Sequence, residues 1–150
     1  MNLNNMKRTL AWLTICIVAL SAPGAFAGDN LKLHAKLIWG CDDDMPTDPG
    51  IKPVSPEVAT QLKGIFKWKH YYVVTNMTAK IPDKGAQKLV LSKKCTVEVK
   101  NDAHTYKAKL FGEGKLLKEV DQKKVAGENL VLAGGDKNAT AWFVILTPQE

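Results

Sequence analysis

The sequence predicts an α+β fold: one short helix near the start, packed on a mostly antiparallel sheet that closes as a sandwich or half-barrel. Three observations predict it. Leu31 to Trp39 alternates apolar and polar residues, the period of a strand with one buried face. Ser55 to Phe66 opens with helix-start chemistry and continues at a helical period. From Trp68 onward, aromatic and β-branched runs are divided by turn residues, which is the pattern of a strand-rich remainder.

The first segment reads as a leader. Lys7 and Arg8 precede an apolar run from Leu10 to Leu20, and Ala25-Phe26-Ala27 supplies small residues at the two positions a signal peptidase reads. The run is too short for a permanent membrane anchor. Residues 1–27 are therefore expected to be a signal peptide, and 28–150 a single soluble domain, periplasmic or extracellular, with no transmembrane segment after cleavage. Cleavage changes the charge. The precursor carries 21 basic and 15 acidic residues; without Lys7 and Arg8 the balance is 19 to 15, and every remaining base is lysine. Lysine lacks the planar fork with which arginine reads phosphate and base edges, so specific nucleic-acid recognition is not expected.

In the first strand, Leu31, Leu33, Ala35, Leu37 and Trp39 share one parity, and Lys32, His34 and Lys36 the other. Gly40 ends the alternation, and the Asp- and Pro-rich stretch through Pro53 reads as a loop. In the helix, Ser55 suits the N-cap, Pro56 the first position and Glu57 the positive end of the dipole. Val58, Leu62, Ile65 and Phe66 make its apolar face. A βαβ-like opening follows from this order. The later strands are expected over 68–75, 88–92, 95–100, 105–111, 129–133 and 141–146, with turns at Pro82–Gly85, Asn101–Asp102, Gly112–Lys115 and Gly134–Asp136. Lys115–Val125 reads equally as a polar strand or a short helix.

Chemistry concentrates in "KLIWGCDDDMPTDPG", residues 36–50. Cys41 and Cys95 continue the inward parity of their strands and are the two cysteines left after cleavage, so a disulfide between them is expected in an exported domain. It would close a loop of about 55 residues and contribute roughly 4 kcal/mol. Asp42, Asp44 and Asp48 have part of a calcium-loop rhythm and are weak metal candidates, but the glycine comes late, at Gly50, and the closing glutamate would have to be Glu57 from the helix, so no metal site is expected and the aspartates read as a strand-ending turn. His34, His70 and His104 lack the spacing of a zinc set. No nucleophile elbow, Walker loop or dinucleotide fingerprint occurs, and no cofactor is expected. In "FKWKHYY", Lys67, Lys69 and Tyr71 share one parity and form a candidate binding surface, a ring interleaved with cations.

Taken together, "LKLHAKLIWG" followed by "DDD", "FKWKHYY" and "AGGDKNATAWFVIL" resemble small exported proteins of uncharacterised planctomycete and verrucomicrobial families. The resemblance spans most of the chain after the leader and implies a small envelope protein without an active site to carry over. The expected function is a non-catalytic exported module of the cell envelope that binds a protein or an anionic polymer. The alternatives are a small secreted inhibitor acting through the acidic loop, or a small hydrolase or metal-dependent enzyme.

Overall fold

The computed structural model describes residues 29–43, 49–135 and 140–150. The expected signal peptide, and Asp44 and Asp48 of the acidic loop, lie outside them. Nine strands and one helix follow in the described chain: β1 (Leu31–Cys41), β2 (Lys52–Pro53), α1 (Pro56–Ile65), β3 (His70–Ile81), β4 (Ala86–Val90), β5 (Cys95–Asn101), β6 (Thr105–Gly112), β7 (Lys115–Lys123), β8 (Leu130–Gly135) and β9 (Ala141–Gln149). Strand accounts for 61% of this and helix for 9%. The α+β expectation is thus corrected to a mostly β fold of two antiparallel sheets, with its helix well into the chain rather than near the start.

Two features of the sequence account for the correction. Asn76–Ile81 alternates polar and apolar residues, which carries β3 six residues beyond Thr75, and the ambiguous Lys115–Lys123 is a strand. The strands flanking α1 also run antiparallel, with Leu31 opposite Ile81 and Cys41 opposite His70, so there is no βαβ unit.

The first sheet has the order β2-β3-β1-β9-β8 and the second β4-β5-β6-β7. Their facing sides share one core. Leu31, Leu33, Ala35, Leu37, Ala79, Ile81, Val144 and Leu146 come from the first sheet, and Leu89, Cys95, Val97, Val99, Tyr106, Ala108 and Leu110 from the second. The alternation of β1 fixes this side, since a one-residue slip would turn its leucines to solvent. A bulge at Leu37/Ile38 shifts the register against β3, while the pairing with β9 runs through unbroken.

The other side of the first sheet carries α1. Leu62 is buried there with Ile38, Tyr71, Phe143 and Ile145, and Val58, Phe66 and Trp68 pack around them. Ile38 was on the wet parity, yet it is buried because the helix lies over it. Gly40 serves the same packing: a Cβ there would meet Trp68 at 2.9 Å and Phe143 at 3.0 Å. Ile65, expected on the packed face, stays exposed at the end of the helix. No described helix is long and apolar enough to cross a membrane.

Candidate binding surface

The expected disulfide is not present: Cys41 and Cys95 are buried free thiols. Inward parity was right for both, but parity says nothing of height along the strands. Thr75, the partner of Leu37, donates through Oγ1 to the Leu91 carbonyl at 2.7 Å, and the Leu91 N–H bonds to the Cys95 carbonyl at 3.0 Å. Cys95 therefore lies near the level of Leu37. Cys41 is four residues further along β1, about 13 Å at strand rise, well past the roughly 7 Å that a bridge spans between Cα atoms. Burial pushes the Cys95 thiol up to about 11 and raises Cys41 as well, with Asp43 and Asp42 adding repulsion. Neither is poised as a thiolate nucleophile.

The aspartates divide. Asp42 accepts the Lys69 backbone N–H on Oδ1 at 3.0 Å, so it ties the end of β1 to the start of β3. Among the described residues, no group of three or more His, Cys, Asp or Glu side chains converges as a metal site would require.

Lys67, Lys69 and Tyr71 do not form one surface. The two lysines are exposed, but the Tyr71 ring is buried under α1, 6.1 Å from the Phe143 ring, and is closed to a stacking ligand. Lys63, Lys69, His70, Tyr71 and Tyr72 line a shallow cleft with Pro53, Val54 and Ala59, with a volume of ≈ 210 Å³. That is smaller than pockets that enclose a small molecule, about 300–1,000 Å³, and its described lining holds no serine, threonine or cysteine.

The surface that stands out is the part of the first sheet's outer side that α1 leaves uncovered. Register places Lys32 opposite Lys80 and Gln149, His34 opposite Thr78 and Thr147, and Lys36 opposite Asn76 and Ile145. None of the residues aligned there is acidic. His34 is hydrogen-bonded through Nε2 to the Asn76 side-chain oxygen, and Thr147 donates to Asn129 Oδ1 at 2.6 Å. The result is a flat, hydrogen-bonding face with three lysines. Two of them, Lys32 and Lys80, sit directly opposite each other, where like charges destabilise a sheet by a few tenths of a kcal/mol.

The second sheet shows what neutralisation looks like. Its outer side aligns Lys88, Glu98, Lys109 and Glu119 in one row, and Lys100, Lys107 and Asp121 in the next. Lys107 lies 2.9 Å from Glu119 and 3.6 Å from Asp121, and Lys109 lies 3.8 Å from Glu119. The Lys107 pairing lowers the Glu119 pKa, and Glu119 and Asp121 raise that of Lys107. Among the described residues, the ion pairs fall on this sheet and none involves Lys32, Lys36 or Lys80. Among the described residues, the lysines are therefore without paired acids on one face and paired on the other.

Lys32, His34 and Lys36 were legible as a wet strand face, but Lys80, Thr78 and Gln149 were not joined to them. Their own alternation was the available signal; the pairing of β1 with β3 and β9 was not. Comparison of the chain with protein-family models, curated proteins and solved structures finds no match in any of the three.

Proposed function

We propose that this protein is a non-catalytic exported module of the cell envelope that binds an anionic polymer on the open face of its first sheet. The observation that carries the reading is the Lys32, Lys36 and Lys80 cluster, left without carboxylates on a face whose other aligned side chains are mostly hydroxyls and amides. A like-charge pair that costs stability is relieved when a polyanion supplies the counter-charge. Lys32 and Lys36 lie about 13 Å apart along β1, so they engage successive charges of an extended chain rather than one small anion. Thr78, Thr147, Asn76 and Gln149 offer neutral hydrogen bonds between them. A hydrolytic role has less support, since the cleft beside α1 is small and its described lining holds no serine, threonine or cysteine.

The test is salt-gradient elution from immobilised heparin. Wild-type protein should be retained at low salt and released near physiological ionic strength, where charges more than about 8 Å apart are screened. Lys32→Gln/Lys36→Gln/Lys80→Gln should elute at clearly lower salt. Lys100→Gln/Lys107→Gln/Lys109→Gln, which removes the same charge from the neutralised face, should shift much less. Equal shifts for the two variants would show that net charge alone binds heparin and would overturn the assignment to this face.

A further inference from the structure

We propose that the opposite end of the molecule, formed by the β4–β5 and β6–β7 turns, docks on an anionic lipid surface. The two turns are fastened together: the Glu113 N–H donates to the Lys94 carbonyl at 2.8 Å, and Lys94 Nζ lies 3.4 Å from Glu113. The β6–β7 turn is tight, with Glu113 at φ 50° and Gly114 at φ 80°, the two left-handed residues of a type I′ hairpin. This fixes what the end presents. Val90, Thr96, Phe111 and Leu116 align across all four strands of the second sheet. Val90 is 63% exposed and Leu116 52%; Leu117, the extra residue at the Leu110/Phe111 bulge, is 48% exposed and stands over Gly112 on the other side of the sheet. Lys93 and Lys94 in the β4–β5 turn and Lys115 and Lys118 in β7 are exposed at the same end. The acid between the turns, Glu113, is held by Lys94.

Exposed aliphatic side chains beside two rigid turns that also carry cations suit one kind of surface. The aliphatics enter the headgroup–acyl boundary and the lysines meet the anionic headgroups. A protein partner fits less well, since a stable interface buries about 800 Å² on each side and three aliphatic residues on two turns fall well short. The site is also separate from the lysine face, which lies on the other sheet; of its three lysines, Lys36, beside Leu37, is the one near the Cys95 level. Lys32 and Lys80 lie next to Leu31 and Ile81, at the end of the molecule where Asn101 closes β5, whereas the turns lie at its Cys95 end. Seven strand residues separate the two levels, roughly 20 Å.

The experiment is co-sedimentation with vesicles of phosphatidylcholine alone and of phosphatidylcholine mixed with phosphatidylglycerol. Binding is expected to the mixed vesicles and not to phosphatidylcholine alone. Val90→Glu/Leu116→Glu should abolish it with an unchanged thermal midpoint, because both side chains are more than half exposed. Lys93→Gln/Lys115→Gln should weaken it roughly 25-fold, at about fivefold per lysine, and keeps the test decisive if the glutamate variant folds poorly. Lys32→Gln/Lys36→Gln/Lys80→Gln should leave vesicle binding largely intact, so this result stands or fails apart from the heparin result. Failure of wild-type protein to sediment with the mixed vesicles overturns the proposal. So does binding unaffected by the turn variants, or a concentration-dependent dimer that Val90→Glu/Leu116→Glu abolishes without any vesicle binding, which would assign the tip to a second copy of the chain.

Discussion

Asn101 is fully buried, and its side-chain amide faces three backbone carbonyls: Asp29 at 3.0 Å, Pro82 at 3.1 Å and Ile81 at 3.2 Å. Its backbone N–H donates to Gly85 at 2.8 Å. One residue thus satisfies the carbonyls where β3 crosses to the second sheet and where β1 begins. Only a hydrogen-bond donor fits among three acceptors, so the requirement is chemical as well as steric. Asn101→Ala should cost about 2 kcal/mol, because buried carbonyls lose their donor. Asn101→Asp should cost more at neutral pH, since its carboxylate would face carbonyl oxygens. That environment raises the folded-state pKa of the new acid above its unfolded value. Stability is then retained below the unfolded pKa and lost as pH rises. Urea denaturation near pH 4 and near pH 7 should show the gap to wild type widening at the higher pH; a constant gap would contradict the account.

The β8–β9 pair shows how an element depends on a missing side chain. Register sets Gly134 directly opposite Trp142, and a Cβ on Gly134 would overlap the indole. The ring extends as far as Gly112, where a Cβ would stand 3.3 Å from it. Trp142 therefore lies across a glycine in each sheet and covers the edge of the shared core. Gly134→Val should displace the ring and cost about 1–3 kcal/mol, the range for overpacking, with a red-shifted tryptophan emission as the indole meets water. An unshifted spectrum and an unchanged midpoint would show that the hairpin opens without strain. Helix α1 depends on tertiary contact in a different way. At ten residues it is too short to be stable alone, and the seat that holds it is Leu62 with Phe66, whose ring is 4.1 Å from Phe143.

Across the whole molecule, the buried titratable groups of the core set an alkaline limit. Burial pushes Cys95 up to about 11 and Tyr106 up to about 12, with Glu128 adding to the second. Both folded-state values stand above the ordinary values of 9.0 and 10.0. The folded protein holds these protons at a pH where the unfolded chain has released them, so stability falls as pH rises. The contribution is complete below pH 9 and is lost between 9 and about 12, on the order of 2 kcal/mol for each group. Thermal midpoints followed from pH 8 to 11 should decline, and Cys95→Ala, despite its cavity, should flatten the lower part of that decline. A wild-type midpoint level across this range would refute the burial account.

Sequence alone determined the elements whose own pattern is decisive: the alternation of β1, the Ser-Pro-Glu start of α1, the alternation of β6 and the glycine-bearing turn that begins β7. Each is a local rule, since a strand with one dry face and a helix with one dry stripe write their period into neighbouring residues. Tertiary structure decided everything that depends on which strands meet. It made Lys115–Lys123 a strand, because β6 offers that segment a pairing edge. It buried Ile38 and Tyr71, because α1 covers a sheet side that alternation marks as wet. It left Cys41 and Cys95 unpaired, because inward parity fixes a direction and not a height. It also joined Lys80 to Lys32, 48 residues apart in the chain, into the uncompensated face on which the proposed function rests. Charge is counted along a sequence, but it acts through distances that only the folded chain sets.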